Sequence, residues 1–465
     1  MKDNRNKKID NLIISAASCK EQGDLLSAFN YLNEILKLDK NNKRALNNIG
    51  NAYKEMKNFD EAVKYYSKAI NSDPNYKIAK INLSILYHDL GNLDKAEKLY
   101  KDLIINDKHN FAILFNLSRI NFSFFNEDRI NFIESSINNE NISNYNKASG
   151  YFILAKNEQI KKNFDKEIEF LEKGHKYFCK SIPPKVYDQS LNYWLNIIPK
   201  KFHKIEITNT KKIDKKNIDI NPIFIIGMPR SGSTLVESII SSGKSLIPNG
   251  GETAGVNWAM MKNYRKVLFD DNLGKIIVDG NELRNDILSK YQNLNLLNLK
   301  KGNFFTDKSL ENFFYIDIIL KLFPNAKFIH CKRNKIDNIF AIYQNFLTKM
   351  SWTHSLKDII VYFDNYLNVM DYFKKKFKHK IFSIELEKLT INSKKISQKM
   401  FEFCGLEWSD KSLEYYKRKD LFSTTASNQQ IREKIYKYNN AKYEVYKKHI
   451  KEFEQEYDWL KKELL

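Results

Sequence analysis

The run Ile223-Phe224-Ile225-Ile226 is apolar at every position, the pattern of a strand buried on both faces. A glycine-flanked turn from Gly227 to Gly232 follows, and across residues 235–240 the apolar positions take helical spacing. Further on, Phe304-Phe305-Thr306-Asp307-Lys308 predicts a short strand ending in a lysine, and residues 313–322 predict a helix that stops at Pro324. Residues 326–331 predict another buried strand, which delivers Lys332 and Arg333. Strand, helix and strand within this length predict a right-handed parallel unit. Lys308 and Arg333 then stand at the carboxyl ends of strands, the edge where open α/β sheets bind ligands. After Lys335, the residues Ile336, Ile339, Phe340, Tyr343 and Phe346 mark one face of a helix, which reads as core.

The amino-terminal half carries a second periodicity. Ala28, Ala62 and Ala96 lie 34 residues apart, as do Tyr53 and Tyr87, and Leu32, Tyr66 and Tyr100. That period is the signature of tetratricopeptide helix pairs. The repeats are clearest over residues 43–110, and Asn163-Phe164-Asp165 echoes Asn58-Phe59-Asp60, which carries a degenerate pair to about residue 178. The expected organisation is a helical solenoid over 1–204, a polar, lysine-rich linker over 205–221 and an α/β domain with a parallel sheet over 222–465. The solenoid reads either as a concave surface for a protein or peptide partner or as a packing scaffold.

The chemistry concentrates in the second half. Gly227-x-x-x-x-Gly232-x-Thr234 has the spacing of a Walker phosphate loop, yet Ser233 occupies the lysine position and Arg230 supplies a cation from inside the loop. A strand feeding such a turn and a helix aims backbone N–H groups and the helix dipole at one anion. On its residues alone, Gly250-Gly251-Glu252 reads more readily as a surface loop with a helix-capping acid than as a flexible turn that presents a carboxylate to a site. No predicted strand ends in the aspartate that Walker enzymes use for magnesium, which argues against magnesium-dependent phosphoryl transfer.

Composition adds boundaries. The net charge of +21 raises nucleic-acid binding, but lysine is spread through nearly every helix, so the charge is better read as a general compositional bias with no nucleic-acid partner, part of it available to steer an anionic cosubstrate. Cys19, Cys179, Cys331 and Cys404 lie far apart without metal-ligand spacing and read as reduced. No apolar run reaches the ~18 residues of a membrane span, and the charged N-terminus lacks a signal-peptide core. The expectation is a cytoplasmic protein without a metal, for which a homodimer is allowed.

The loop Gly227-Met228-Pro229-Arg230-Ser231-Gly232-Ser233-Thr234 resembles the 5′-phosphosulfate loop of sulfotransferases. Thr306-Asp307-Lys308, Phe323-Pro324-Asn325-Ala326, Cys331-Lys332-Arg333-Asn334, Phe403-Cys404-Gly405-Leu406-x-Trp408 and Thr425-Ala426-Ser427-x-x-Gln430-x-Arg432 are similar to that family too. With the repeats upstream, the chain resembles tetratricopeptide-fused sulfotransferases related to tyrosylprotein sulfotransferases. The resemblance implies metal-free transfer of a sulfuryl group from 3′-phosphoadenosine 5′-phosphosulfate (PAPS) to a hydroxyl of a protein, glycan or small molecule. By the same resemblance, Arg230, Ser231, Gly232, Ser233 and Thr234 hold the 5′-phosphosulfate, Arg333 the 3′-phosphate, and Glu252 is the base. Lys308 and Ser427 stabilise the leaving and transferring groups. Residues 427–436, with Gln430 and Arg432, close over the nucleotide, and Lys442 is a further nucleotide contact.

Three positions depart from the family's pattern. Ala341 replaces a serine that contacts the 3′-phosphate, Leu386 replaces a tyrosine, and no arginine follows Glu252 to read acidic tyrosine peptides. The rival readings are a protein-interaction scaffold with an inactive transferase fold and a nucleotide or sugar kinase.

Overall fold

The computed structural model describes residues 2–21, 24–105, 107–209, 220–270, 274–297, 304–418, 420–423, 425, 427–436, 438 and 442–465. Two compact units emerge: Met1–Arg129 with Lys290–Asn295, and Ile130–Ser289 with Leu296–Leu465.

In the first unit, the 34-residue period becomes helix pairs: α1 (Lys2–Glu21), α2 (Leu25–Leu38), α3 (Lys43–Glu55), α4 (Phe59–Ser72), α5 (Lys77–Asp89), α6 (Leu93–Ile105) and α7 (Phe111–Ile120). Short polar side chains recur at the helix starts. Asp24, Asn42, Asn58 and Asn110 each accept the backbone N–H three residues on, satisfying a donor that the helix itself leaves open. Ala28, Ala62 and Ala96 are at most 2 % exposed. A Cβ on Gly50 would come within 2.6 Å of the Tyr66 ring. Only glycine therefore lets α3 and α4 close over this fully buried tyrosine, whose hydroxyl donates to Asn51 Oδ1 at 2.8 Å.

The second unit begins with α8 (Glu127–Ser136), most of which it contains, then α9 (Asn144–Ile160) and α10 (Phe164–Lys180). The Asn163-Phe164-Asp165 echo is geometric as well as textual. Lys57 and Lys162 both take left-handed φ, 58° and 60°, and the N–H groups of Asn58 and Asn163 reach back five residues, to the carbonyls of Tyr53 and Glu158. The expected linker opens as strand β1 (Ile205–Thr208), and its residues 210–219 lie outside the described residues.

The other strands are β2 (Asn221–Gly227), β3 (Ile276–Asp279), β4 (Phe304–Asp307), β5 (Lys327–Lys332) and β6 (Ile381–Glu385). β1 pairs with β3, and the main sheet has the order β4-β2-β5-β6, every pair parallel. Ile223, Phe224, Ile225 and Ile226 are at most 1 % exposed, because β2 is central and covered on both faces. β4 and β5 are parallel, as the strand–helix–strand pattern predicts, but β2 lies between them. The chain leaves β2 for β4 on one side and returns to β5 on the other, so the order reverses at β2. The carboxyl end of β2 is thus a topological switch point, where such sheets open a crevice. The turn Gly227–Gly232, Lys308 and Arg333 all stand there. No helix among the described residues is long and apolar enough to cross a membrane.

Candidate active site

The loop after β2 is shaped by two glycines. Gly227 has φ 140°, and a Cβ there would lie 2.4 Å from the Cys331 carbonyl of β5. Gly232 has φ 87° and caps the helix Ser233–Ile240, with Leu386 packed so closely that a Cβ would meet its Cδ1 at 2.6 Å. Leu386, one of the departures from the family pattern, thus packs directly against the loop. Between the glycines, Arg230 is held at φ 64°, a conformation costly for a residue with a side chain. Two contacts hold it: Asn338 Nδ2 donates to the Pro229 carbonyl at 2.6 Å, and Arg333 Nη1 to the Arg230 carbonyl at 3.0 Å. Loop carbonyls that would repel an anion are thereby occupied. Ser231, Ser233 and Thr234 are buried, and Ser231 Oγ has no hydrogen-bond partner among the described residues. A buried hydroxyl without a partner inside a glycine-flanked loop at a helix start is free to bond an anionic oxygen.

Glu252 is placed by the edge of β4. The Pro248 carbonyl accepts from Thr306 N (3.0 Å), Gly250 N donates to Thr306 Oγ1 (3.0 Å), and the Gly251 carbonyl accepts from Lys308 N (2.8 Å). Buried Glu237, from the helix after the loop, ties the two segments by accepting Gly251 N and Thr306 Oγ1, both at 2.8 Å. Asp307 requires a correction to the sequence reading. β4 stops at Asp307, so a strand of this sheet does end in an acid. Its fully buried carboxylate accepts Thr253 Oγ1 at 2.6 Å and Ser309 N at 2.9 Å, and so serves the turn around Glu252.

The outcome is an ion pair, Lys308 Nζ to Glu252 Oε1 at 3.1 Å, with the lysine side chain 2 % exposed and the glutamate 31 %. Burial pushes the Glu252 carboxyl upward. The charge and hydrogen bond of Lys308, with a contribution from Lys349, outweigh it and hold the group below its ordinary value. For Lys308, burial acts to lower the ammonium, but Glu252, Glu237 and Asp307 together raise it. Both partners are therefore ionised at neutral pH.

The last segment meets the loop from above. Arg230 Nη1 donates to Ser427 Oγ at 2.5 Å and Nη2 reaches Gln430 Oε1 at 3.5 Å, while Thr234 and Thr425 share a hydroxyl contact at 3.2 Å. Ala426 of the family-like segment lies outside the described residues. Arg432 turns to Asn428 Oδ1 (3.1 Å) and the Leu421 carbonyl (3.2 Å), which braces the segment. Arg333 is held by neutral groups. Both Nε and Nη2 donate to the Tyr438 hydroxyl, which donates to Asp337 Oδ2 at 2.8 Å, and the Tyr438 and Tyr443 rings flank the guanidinium at 4.6 and 5.4 Å. Lys442 Nζ sits 5.1 Å from the Tyr443 ring.

Sequence reasoning missed Asn338, Glu237, Tyr438 and Glu311, since each acts through a partner distant in the chain. Glu311 is a third carboxyl near Glu252. Burial pushes it up to about 7, aided by the charges of Asp307 and Glu252. Unfolded, it loses its proton near 4.5; folded, it keeps it to about 7. Stability therefore falls as pH rises through that window. Glu311→Gln should raise Tm at pH 8 and change it little at pH 4, measured by thermal unfolding in the two buffers.

A family model described as the sulfotransferase family matches residues 222–410, and the tetratricopeptide repeat model matches residues 44–76. The chain carries a sulfotransferase domain and a tetratricopeptide repeat. A protein of Aquifex aeolicus (strain VF5), described as uncharacterized, is 28% identical over 344 residues, which is 70% of this chain and 43% of the relative. The chain thus spans less than half of that relative's length. The sulfotransferase domain of the Synechococcus PCC 7002 olefin synthase aligns at 18% identity and TM-score 0.36, over 51% of this chain and 90% of its own. A sulfotransferase of Mycobacterium tuberculosis aligns at 12% identity and TM-score 0.31, over 66% and 97%.

Proposed function

We propose that the second unit moves a sulfuryl group from PAPS to a hydroxyl acceptor, with Glu252 as base. The observation that carries this reading is the ion pair of buried Lys308 with Glu252, beside a glycine-flanked loop whose Ser231 hydroxyl has no partner among the described residues. Arg230 and residues 231–234 would hold the 5′-phosphosulfate, and Ser427 and Gln430 would orient Arg230 over it. Arg333 would take the 3′-phosphate with Lys442 nearby, and Arg432 acts as a positioning residue. The acceptor oxygen bonds to sulfur, the bond from sulfur to the bridging phosphate oxygen breaks, and Glu252 takes the acceptor proton. Lys308 would face the bridging oxygen, where negative charge grows. A fixed cation there lowers the barrier more than it stabilises the ground state.

The ion pair also supplies timing. Burial is the strongest influence on Glu252, and Lys308 opposes it. When Lys308 turns toward the donor, burial dominates and Glu252 becomes a stronger base as its proton arrives. The acceptor class is a hydroxyl. Glu252 is followed by Thr253-Ala254-Gly255, which offers no cation for an acidic tyrosine peptide. The repeat region is the proposed docking surface for a protein partner.

The reading is tested by thermal shift. 3′-Phosphoadenosine 5′-phosphate without metal should stabilise the protein, by about 2.7 kcal/mol at one hundred times its Kd. ATP with magnesium should do far less. Stabilisation by magnesium ATP alone would overturn the sulfotransferase assignment in favour of a kinase.

A further inference from the structure

The segment that carries Glu252 and the segment around Lys308 run side by side, joined by four contacts. Glu252 meets Lys308 at 3.1 Å, and Thr253 Oγ1 donates to Asp307 Oδ2 at 2.6 Å. Ala254 N donates to Ser309 Oγ at 2.7 Å, and the Tyr315 hydroxyl donates to Asn257 Oδ1 at 2.7 Å. The wall of the site thus continues from Glu252 into the helix Gly255–Leu268. Asn257 is the third residue of that helix, about 3 Å along its axis from Gly255, and it is half-buried. The transfer steps described above leave this residue without a role.

The Asn257 amide is oriented from behind. Tyr193, 3 % exposed, and fully buried Tyr315 place their hydroxyl oxygens 2.5 Å apart, and both reach Asn257 Oδ1, at 3.1 and 2.7 Å. Burial pushes both phenols above their ordinary value, so each keeps its hydrogen. Two hydrogens need two acceptors. Tyr193 donates to Tyr315, Tyr315 donates to Asn257 Oδ1, and both hydrogens are satisfied. The reverse placement of the amide would leave one buried phenol hydrogen without an acceptor. The amide oxygen therefore points inward and the two Nδ2 hydrogens point outward. Asn257 Nδ2 has no partner among the described residues and is not buried. A pair of donors, aimed by two buried phenols and open to solvent, stands within one helical turn of the Glu252 segment.

We propose that Asn257 reads the acceptor, its Nδ2 donating to a second oxygen held close to the hydroxyl that Glu252 deprotonates. The acceptor class is then a polyol rather than a monohydric alcohol. A site built to hydrogen-bond an oxygen rejects the analogue that lacks it, because its own donors are left unpaired. Tyr193 and Tyr315 are positioning residues that set the direction of the amide. This inference rests on the sulfuryl-transfer reading above.

The test is transfer from labelled PAPS by the full chain to trans-cyclohexane-1,2-diol and to cyclohexanol, which differ by one hydroxyl. In the parent, kcat/KM should favour the diol about tenfold, the worth of one hydrogen bond, against about twofold from its two equivalent hydroxyls alone. Asn257→Asp keeps an oxygen for Tyr315 and removes both donors. It should lower kcat/KM for the diol several-fold more than for cyclohexanol, bringing their ratio down to about two. Tyr315→Phe lets the amide turn over and should blunt the same ratio. A purely structural role would lower both alcohols alike. Asn257→Ser repeats the measurement if the aspartate variant unfolds. An unchanged ratio in Asn257→Asp, an equal loss for both alcohols, or a parent protein that transfers to neither or to both alike would overturn the inference. Stabilisation by 3′-phosphoadenosine 5′-phosphate would still leave the donor reading standing. A parent protein that transfers to neither alcohol and is not stabilised by that nucleotide would overturn the donor reading as well.

Discussion

Glu252→Gln should bind 3′-phosphoadenosine 5′-phosphate as the parent does and lose about 10²–10⁴ in turnover, the usual worth of a general base. The exchange keeps shape and removes only the capacity to take a proton. The free-enzyme carboxyl lies below its ordinary 4.5 because Lys308 and Lys349 outweigh burial. The acid limb of kcat/KM, which reports that free-enzyme value, should therefore fall below pH 4.5 and vanish in the glutamine variant. The sign for stability is the same. A depressed carboxyl contributes stability that is present above 4.5 and lost as pH falls through the folded value. Lys308→Ala supplies the reciprocal test. Without its partner, Glu252 retains mainly the upward push of burial, so the acid limb should move toward neutral pH while turnover also drops. If Glu252→Gln kept full turnover, Glu252 would not be the base. If the limb stayed in place in Lys308→Ala, the ion pair would not be tuning it.

Gly250→Ala is expected to have the largest structural effect of any small substitution in the site. An added Cβ would sit 1.8 Å from the Thr306 carbonyl oxygen and 2.9 Å from its carbon. Those atoms belong to the backbone of β4, so no side chain can turn away to make room. Either the turn lifts from the sheet edge, breaking the contacts of Thr306 with Pro248 and Gly250, or β4 shifts against β2. Both displace Glu252 from Lys308. Overpacking of this kind costs about 1–3 kcal/mol and more where nothing can yield. Thermal unfolding should show a clear loss of Tm, with transfer lost beyond what the folded fraction explains. Gly274→Ala is the matched control, since an added Cβ there meets nothing within 4 Å. It should stay within about 0.5 kcal/mol of the parent. A Gly250→Ala protein with parental Tm and activity would show that the turn is not set by this close approach.

Local signals were readable where one short stretch contains both cause and effect. The apolar run Ile223–Ile226 has no partner in mind other than a sheet covered on both faces, and it forms β2. The 34-residue period places Gly50, Ala62 and Tyr66 where a helix pair needs them, and each is buried there. The turn that carries Arg230 and Ser231 is legible because a strand feeding a glycine-flanked turn and a helix is a local device. Lys308 and Arg333 are legible as strand-end cations, since strand ends follow from hydrophobic pattern alone. Strand order was not legible. Nothing in residues 304–331 says that β2 will lie between β4 and β5, because pairing is decided by which apolar faces can be covered at once.

The sequence by itself determined the helical repeats, the phosphate-type loop and the residue types available to it, because propensity, periodicity and turn chemistry act over a few residues. Only the tertiary structure decided that Glu252 meets Lys308, that Asn338 and Arg333 hold the loop carbonyls, and that Glu167 links α10 to Tyr446. Those contacts join residues from 56 to 279 positions apart. Their strength comes from burial, which turns weak solvent-exposed polar contacts into strong ones and exists only once the chain has closed around them.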